Sequence, residues 1–177
     1  MNITFMPLQK AHLLLLLDWL EKPHVKAWWD QDVTWTIELV AENYGSYVDG
    51  YKLENGIRKP LWAYIACVSN KPVGYIQLYN AHDYPRDDGL SLDHLPKSLG
   101  AIDIFIGEEA YVGKGYGSAI LTQFMEEYVD PQFDACFVDP DLDNVQAIRA
   151  YENAGFEPIS TTEKSLWMLR KKPSPRK

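Results

Sequence analysis

Two features of this chain have residue types and spacing suited to chemistry. The stretch YVGKGYGSAI, residues 111–120, sets Gly113, Gly115 and Gly117 at alternate positions, ahead of a run that reads as a helix. A helix N-terminus has free backbone N–H groups and the positive end of the helix dipole. Glycine lets such a backbone turn sharply and approach a ligand closely. Together they suit a phosphate or pyrophosphate, although a glycine-rich turn with no ligand explains the pattern equally well. The spacing is not that of a Walker A loop, and the dinucleotide pattern GxGxxG is absent. The second feature is Asp103, which interrupts the apolar run AIDIFI. Strand residues alternate faces, so Asp103 points with Ala101 and Phe105, away from Ile102, Ile104 and Ile106. A carboxylate there is costly unless paired or solvated. It suits binding and deprotonating an ammonium group, or a structural pairing with an arginine or a helix terminus.

The elements that must position these residues can be read along the chain. Residues 3–8 suggest a strand. Residues 9–21 read as a mostly buried helix ended by Pro23, and residues 36–50 as a helix stopped by Gly50. Residues 51–60 read as a loop, and 61–68 and 73–79 as strands of a hairpin turned by SNKP. Residues 80–98 form a long polar loop, a length that is usually functional or mobile. A strand at 99–107, an amphipathic helix at 116–129, a buried strand at 133–139, a helix from the cap Asp143 or Asn144 to Asn153, and a last strand at 165–170 complete the order. Gly155 is placed to end the last helix. The expected class is α/β (α+β), a mixed, mostly antiparallel twisted sheet flanked by helices. Strands 99–107 and 133–139 should be parallel neighbours across a right-handed crossover. Residues 1–170 read as one domain, and 171–177 as a disordered basic tail.

Composition narrows the function. The chain has 177 residues, 46% hydrophobic and 24% charged, with a formal net charge of −8. Such a charge argues against nucleic acid or an anionic membrane as partner and is compatible with a cationic substrate. Cys67 and Cys136 lie in apolar runs without CxxC spacing, and read as buried hydrophobes. His24, His82 and His94 have no metal-ligand spacing, so no metal is expected. No signal peptide or membrane span is evident, so the expected location is cytoplasmic.

A later segment, DNVQAIRAYENAGF at residues 143–156, joins the glycine loop to a known pattern. The two together resemble the GNAT acetyltransferase family, in which a loop of the form Q/R-x-x-G-x-G/A binds the pyrophosphate of acetyl-CoA. A downstream N-x-x-A-x-x-x-Y-x-x-x-G-F segment of that family holds the pantetheine arm and supplies a tyrosine. Val112 stands where the family usually has Gln or Arg. The stretch from Trp19 to Trp29, the strand AID and the sequence VDP before the second motif are similar to aminoglycoside 6′-N-acetyltransferases, where an apolar residue at that loop position is expected. The WW pair and a mid-strand acid also occur in siderophore-type lysine N-acyltransferases.

The resemblance implies a GNAT fold whose central parallel strands splay to admit acetyl-CoA, and a monomer or homodimer. It assigns the donor to Ile104, Phe105, Ile106, Val112, Gly113, Lys114, Gly115, Tyr116, Gly117, Ser118, Asn144, Ala147 and Tyr151. Amine acetylation needs a neutral amine, a stabilised oxyanion and a protonated leaving thiolate. Tyr151, one helical turn beyond Ala147 and two beyond Asn144, is the candidate acid; the other reading is a core aromatic. Asp103 is the candidate base, directly or through water. Asp139 is expected to hold a second acceptor amine, or to serve as a turn or cap residue before Pro140. Trp28 and Trp29 are expected to wall the acceptor, with core packing as the alternative. Asp88, with Asp87 and Asp93, belongs to an acidic loop that would attract a polycation or simply be solvated. The expected activity is acetylation of the 6′-amine of an aminoglycoside. The alternative is acylation of another amine: a siderophore lysine precursor, a polyamine or a protein N-terminus.

Overall fold

The computed structural model describes residues 1–175. Its sheet has the strand order β1 (Ile3–Pro7), β3 (Ile57–Val68), β4 (Lys71–Asn80), β5 (Leu99–Ile106), β6 (Ala135–Val138), β8 (Leu166–Lys171), β7 (Glu157–Thr161), with β2 (Tyr51–Glu54) beside β3, and the pair β5–β6 is parallel. The fold is thus the expected mixed, mostly antiparallel sheet flanked by helices. The described residues divide into two compact units, one of residues 1–77 and 103–116, the other of 78–102 and 117–175.

In the first unit, β1 (Ile3–Pro7) pairs antiparallel with β3 (Ile57–Val68), Ile3 opposite Val68. Helix α1 (Leu13–Leu20) buries Leu13, Leu16, Trp19 and Leu20, a spacing that lines one side of a helix. Pro23 does not merely end a helix. It sits in the first turn of a short helix α2 (Pro23–Lys26), where its missing N–H would have no partner anyway. Helix α3 (Ile37–Val48) starts at Thr36, whose hydroxyl accepts from the Leu39 N–H at 3.2 Å.

Residues 51–60 are not a loop. They form β2 (Tyr51–Glu54), a turn at Asn55-Gly56, and the start of β3. Asn55 and Gly56 have φ of 51° and 76°, as a two-residue hairpin turn matched to strand twist demands. The next turn obeys the same rule and is two residues shorter than the expected SNKP. Ser69 and Asn70 take φ of 48° and 67°, and Lys71 and Pro72 already belong to β4 (Lys71–Asn80).

In the second unit, the start of β5 (Leu99–Ile106) pairs with β6 (Ala135–Val138), Leu99–Ala101 opposite Ala135–Phe137. Strand β6 is shorter than expected, and Asp139 lies just beyond it. The expected helix 116–129 is α4 (Tyr116–Phe124), closed by a wider π turn over Met125–Val129. The described carboxyl-terminal elements are α5 (Val145–Asn153), an unforeseen β7 (Glu157–Thr161) and β8 (Leu166–Lys171). Lys171 therefore belongs to a strand rather than to the tail. Residues 172–175 have no regular structure, and Arg176 and Lys177 of the expected tail lie outside the described residues. Arg170 reaches Asp130 with two bonds of 2.7 and 3.2 Å, a paired guanidinium inside an apolar setting. Cys67 and Cys136 are both buried, and neither is in a disulfide. Among the described residues no helix is long and apolar enough to cross a membrane.

Candidate active site

Asp103 lies mid-way along β5 and is partly exposed. Its Oδ2 accepts from Gln77 Nε2 at 2.9 Å, and Gln77 Oε1 accepts from the Tyr75 hydroxyl at 2.6 Å. Tyr75 and Gln77 are two apart on β4, so they share a face. The relay has one direction. Tyr75 is fully buried, and burial, followed by the charges of Tyr44, Tyr47 and Asp103, holds its hydroxyl well above the ordinary tyrosine range. It stays a donor, which turns the Gln77 amide so that its N–H faces the carboxylate. One partner of Asp103 is thus an amide.

Aromatic rings surround this acid within the first unit. Phe105 stacks on Tyr75 at 5.5 Å, and Trp29 meets Phe105 at 5.0 Å and Tyr75 at 6.1 Å edge-on. The Trp29 indole N–H donates to the Tyr44 hydroxyl at 3.0 Å. Tyr47 packs on Tyr44 at 5.5 Å, and burial, then the charges of Asp103 and Asp30, push its hydroxyl up to about 12. Trp29 is thus built into the wall around Phe105, while Trp28 stands 48% exposed. Of the histidines given no role, His24 donates from Nε2 to the Ile106 carbonyl at 2.9 Å. That bond ties the end of β5, where Ile104, Phe105 and Ile106 were expected to meet the donor, to α2.

The glycine loop is exposed at Gly113, Lys114 and Gly115. Gly113 and Gly115 have φ of 73° and 85°, a conformation that L side chains rarely adopt. A Cβ on Gly115 would meet nothing within 4 Å, so backbone shape and not packing requires glycine there. The loop leads directly into α4, a nine-residue helix with no acid in its first turn. The first N–H groups of such a helix lack intrahelical acceptors. Open backbone donors, Lys114 and the absence of a competing carboxylate suit the pyrophosphate of acetyl-CoA. At Gly117 an added Cβ would lie 3.9 Å from Ala150 of α5, an ordinary contact. Ser118 accepts from Asn153 at 3.4 Å. Val112 caps a short 3₁₀ turn before the loop, and Tyr116 packs on Tyr111 at 4.8 Å.

In the second unit, Asn144 caps α5, its Oδ1 accepting from the Ala147 N–H at 3.2 Å. Asp143, the other expected cap, instead sends its N–H to Asp141 Oδ1 at 2.9 Å in a turn. Tyr151 is 7% exposed and begins the helix ending. The Phe156 N–H donates to the Tyr151 carbonyl and the Gly155 N–H to that of Glu152, both at 3.0 Å, with Gly155 at φ 96°. This is a Schellman ending, and the Phe156 ring meets Tyr151 at 5.4 Å. The spacing Y-x-x-x-G-F therefore has a local structural cause: it stops the helix that carries the tyrosine.

Asp139 and Asp88 share one partner that sequence reasoning did not single out. Arg86 lies 2.9 Å from Asp139 and 2.7 Å from Asp88. Burial raises the Asp139 carboxyl above the ordinary aspartate range, despite the opposing pull of Arg86. The Asp88 carboxyl is held below that range, first by its bond from Arg86. Sequence offered a hint for Gln77, a lone amide in an apolar strand, but little for Arg86, one charge in a charged loop. Among the described residues no cluster of His, Cys, Asp or Glu could hold a metal ion.

A model of the acetyltransferase (GNAT) domain matches residues 9–164. The chain belongs to the GNAT acetyltransferase family. Relatives named aminoglycoside N(6')-acetyltransferase type 1, from Klebsiella pneumoniae and Serratia marcescens, are each 28% identical over 158 residues, 88% of this chain and 74% of theirs. Among solved structures, AAC(6')-Ib with ribostamycin and coenzyme A superposes with a TM-score of 0.82 at 26% identity, covering 97% of this chain and 94% of that one. The same relative with coenzyme A and kanamycin gives 0.80 at 27% identity, covering 96% and 95%.

Proposed function

We propose that this GNAT domain transfers acetyl from acetyl-CoA to the 6′-amine of an aminoglycoside. The observation that carries this reading is Asp103, a carboxylate set in a strand, oriented by Gln77 and bordered by Phe105. The acceptor ammonium binds Asp103 and gives up a proton to it, directly or through water. The neutral nitrogen attacks the thioester carbon, the C–N bond forms and the C–S bond breaks. Tyr151 gives a proton to the departing sulfur, the proton that the nitrogen sheds as the amide forms returns through water to the phenolate, and the proton held by Asp103 is released to solvent. Val112 to Ser118 hold the pyrophosphate, and Ile104 to Ile106, Asn144 and Ala147 hold the pantetheine arm. Trp28, Trp29, Asp88 and Asp139 serve the acceptor. Residues 1–170 act as one catalytic domain, a view supported by the continuous family match over residues 9–164. We also take the enzyme to work in the cytoplasm, as a monomer or homodimer.

The test is thiol release from acetyl-CoA with kanamycin, tobramycin, a 6′-hydroxy aminoglycoside, spermidine and a lysine-derived hydroxamate precursor. Turnover of the 6′-amino compounds without the 6′-hydroxy analogue is expected. Turnover of spermidine or the lysine compound alone would refute the acceptor. Asp103→Asn should lower kcat/KM about 10²- to 10⁴-fold and flatten its pH profile. Tyr151→Phe should lower kcat while leaving coenzyme A binding in place. A variant of either kind with wild-type kcat would remove that residue from the mechanism.

A further inference from the structure

The Arg86 side chain comes from the irregular stretch after the 3₁₀ turn Ala81–Asp83. Its guanidinium meets two carboxylates and two aromatic rings. It bonds Asp88 through Nε and Nη2, the latter at 2.7 Å, and Asp139 through Nη1 at 2.9 Å. Its Cζ lies 4.9 Å from the Trp167 ring centre and 5.6 Å from that of Phe137. The two rings meet edge-on at 5.2 Å, and the His94 ring stacks on Trp167 at 6.1 Å. Two acids and two ring faces are the groups that bind a cation.

The cation in place belongs to the chain itself, yet it does not cancel the charge. Two carboxylates against one guanidinium leave a net negative charge, and Asp139 and Asp88 keep 36% and 35% of their side-chain surface while Arg86 keeps 16%. The acids are therefore reachable from solvent while their partner is held inside. The Arg86 main chain is anchored by a tight turn, its carbonyl accepting from the Gly89 N–H at 3.1 Å. Rotation of one side chain would vacate the site without moving the strand beneath it.

We propose that Arg86 is a specificity-determining residue: it occupies the cation site formed by Asp88, Asp139, Phe137 and Trp167, and a polycationic acceptor must displace it to place an ammonium there. The proposal rests on the acceptor reading above. Because a fraction of the protein holds the site closed, the apparent affinity for a polycation falls by that fraction. A monocationic amine, held elsewhere by its single charge, is not penalised. Arg86 thus discriminates among amines by charge number, a role that no cradle or catalytic residue fills.

The experiment is calorimetric titration of the full chain with kanamycin and with 6-amino-6-deoxyglucose as a monocationic control. Arg86→Met is expected to bind kanamycin about fivefold or more tightly than wild type, with the monocation unchanged within about twofold. Arg86→Lys should stay near wild type. Lys97→Met, which removes the same charge from the same loop, should gain less than twofold. If Arg86→Met does not fold, the Arg86 Nε–H resonance of the wild-type protein is followed instead, and a saturable shift on adding kanamycin is expected. Kanamycin binding no tighter in Arg86→Met, or no binding by either protein, overturns the proposal. So does an Arg86 resonance that stays still. These outcomes separate from the catalytic reading. Tighter binding without thiol release would sink the acetyl transfer and keep the cation site, and thiol release with unchanged binding would do the reverse.

Discussion

Replacing Gln77 by methionine tests whether the relay to Asp103 is a directed hydrogen-bond chain. Methionine keeps the length of glutamine and removes both polar atoms. Two bonds are lost, 2.6 Å from the Tyr75 hydroxyl and 2.9 Å to Asp103 Oδ2. Tyr75 is fully buried, so its hydroxyl loses its acceptor with no water to replace it. An orphaned buried donor costs about 1–3 kcal/mol, and a bond to a charged group contributes about 1.5–3 kcal/mol. Asp103 is partly exposed and recovers some of its loss from water, so Gln77→Met should cost about 2–4 kcal/mol in all. The decisive measurement is a double-mutant cycle by urea unfolding. Tyr75→Phe in the wild-type background should cost about 1 kcal/mol, because it strips the donor from Gln77 Oε1. In the Gln77→Met background the same change should restore about 1–2 kcal/mol, because it removes the orphan. Destabilisation by Tyr75→Phe in both backgrounds, additive within about 0.5 kcal/mol, would refute the chain.

Other perturbations address packing, the cradle and charge. Gly107→Ala should destabilise by about 3 kcal/mol, read as a lower urea midpoint, because a Cβ there would overlap the buried indole of Trp19. Gly115→Ala meets no neighbour but must hold φ of 85°; it should cost about 1 kcal/mol of stability and weaken coenzyme A binding measured by calorimetry. The Asp139 carboxyl should titrate above the ordinary 3.8 and the Asp88 carboxyl below it, by carbon NMR of the side chains. The sign for stability follows from linkage. The Asp139 contribution is full below its unfolded value and is lost as pH rises through the raised folded value, whereas that of Asp88 is full above its unfolded value and is lost as pH falls through the lowered one. Arg86→Met should move both titrations upward, since the arginine pulls both down.

Much of this protein was determined locally and could be read from the chain. The glycine loop ahead of α4, the cap at Asn144 and the Schellman glycine at 155 are written in neighbouring residues, because backbone angles and capping bonds span only a few positions. The strand containing Asp103 was legible for the same reason, since alternation along β5 assigns its face without knowledge of any partner. The Asn55-Gly56 hairpin was misread as a loop from the polar composition of residues 51–60, although its turn chemistry is local. What tertiary structure alone decided is which side chains complete the acids. Gln77 lies 26 positions from Asp103, and nothing near either residue specifies that pairing; the register of strands does. Arg86 reaches Asp139 only because an irregular stretch lies over Phe137 and Trp167. A sequence shows where a charge is needed to be satisfied, and the fold chooses its partner, because burial makes the pairing obligatory while chain distance leaves it open.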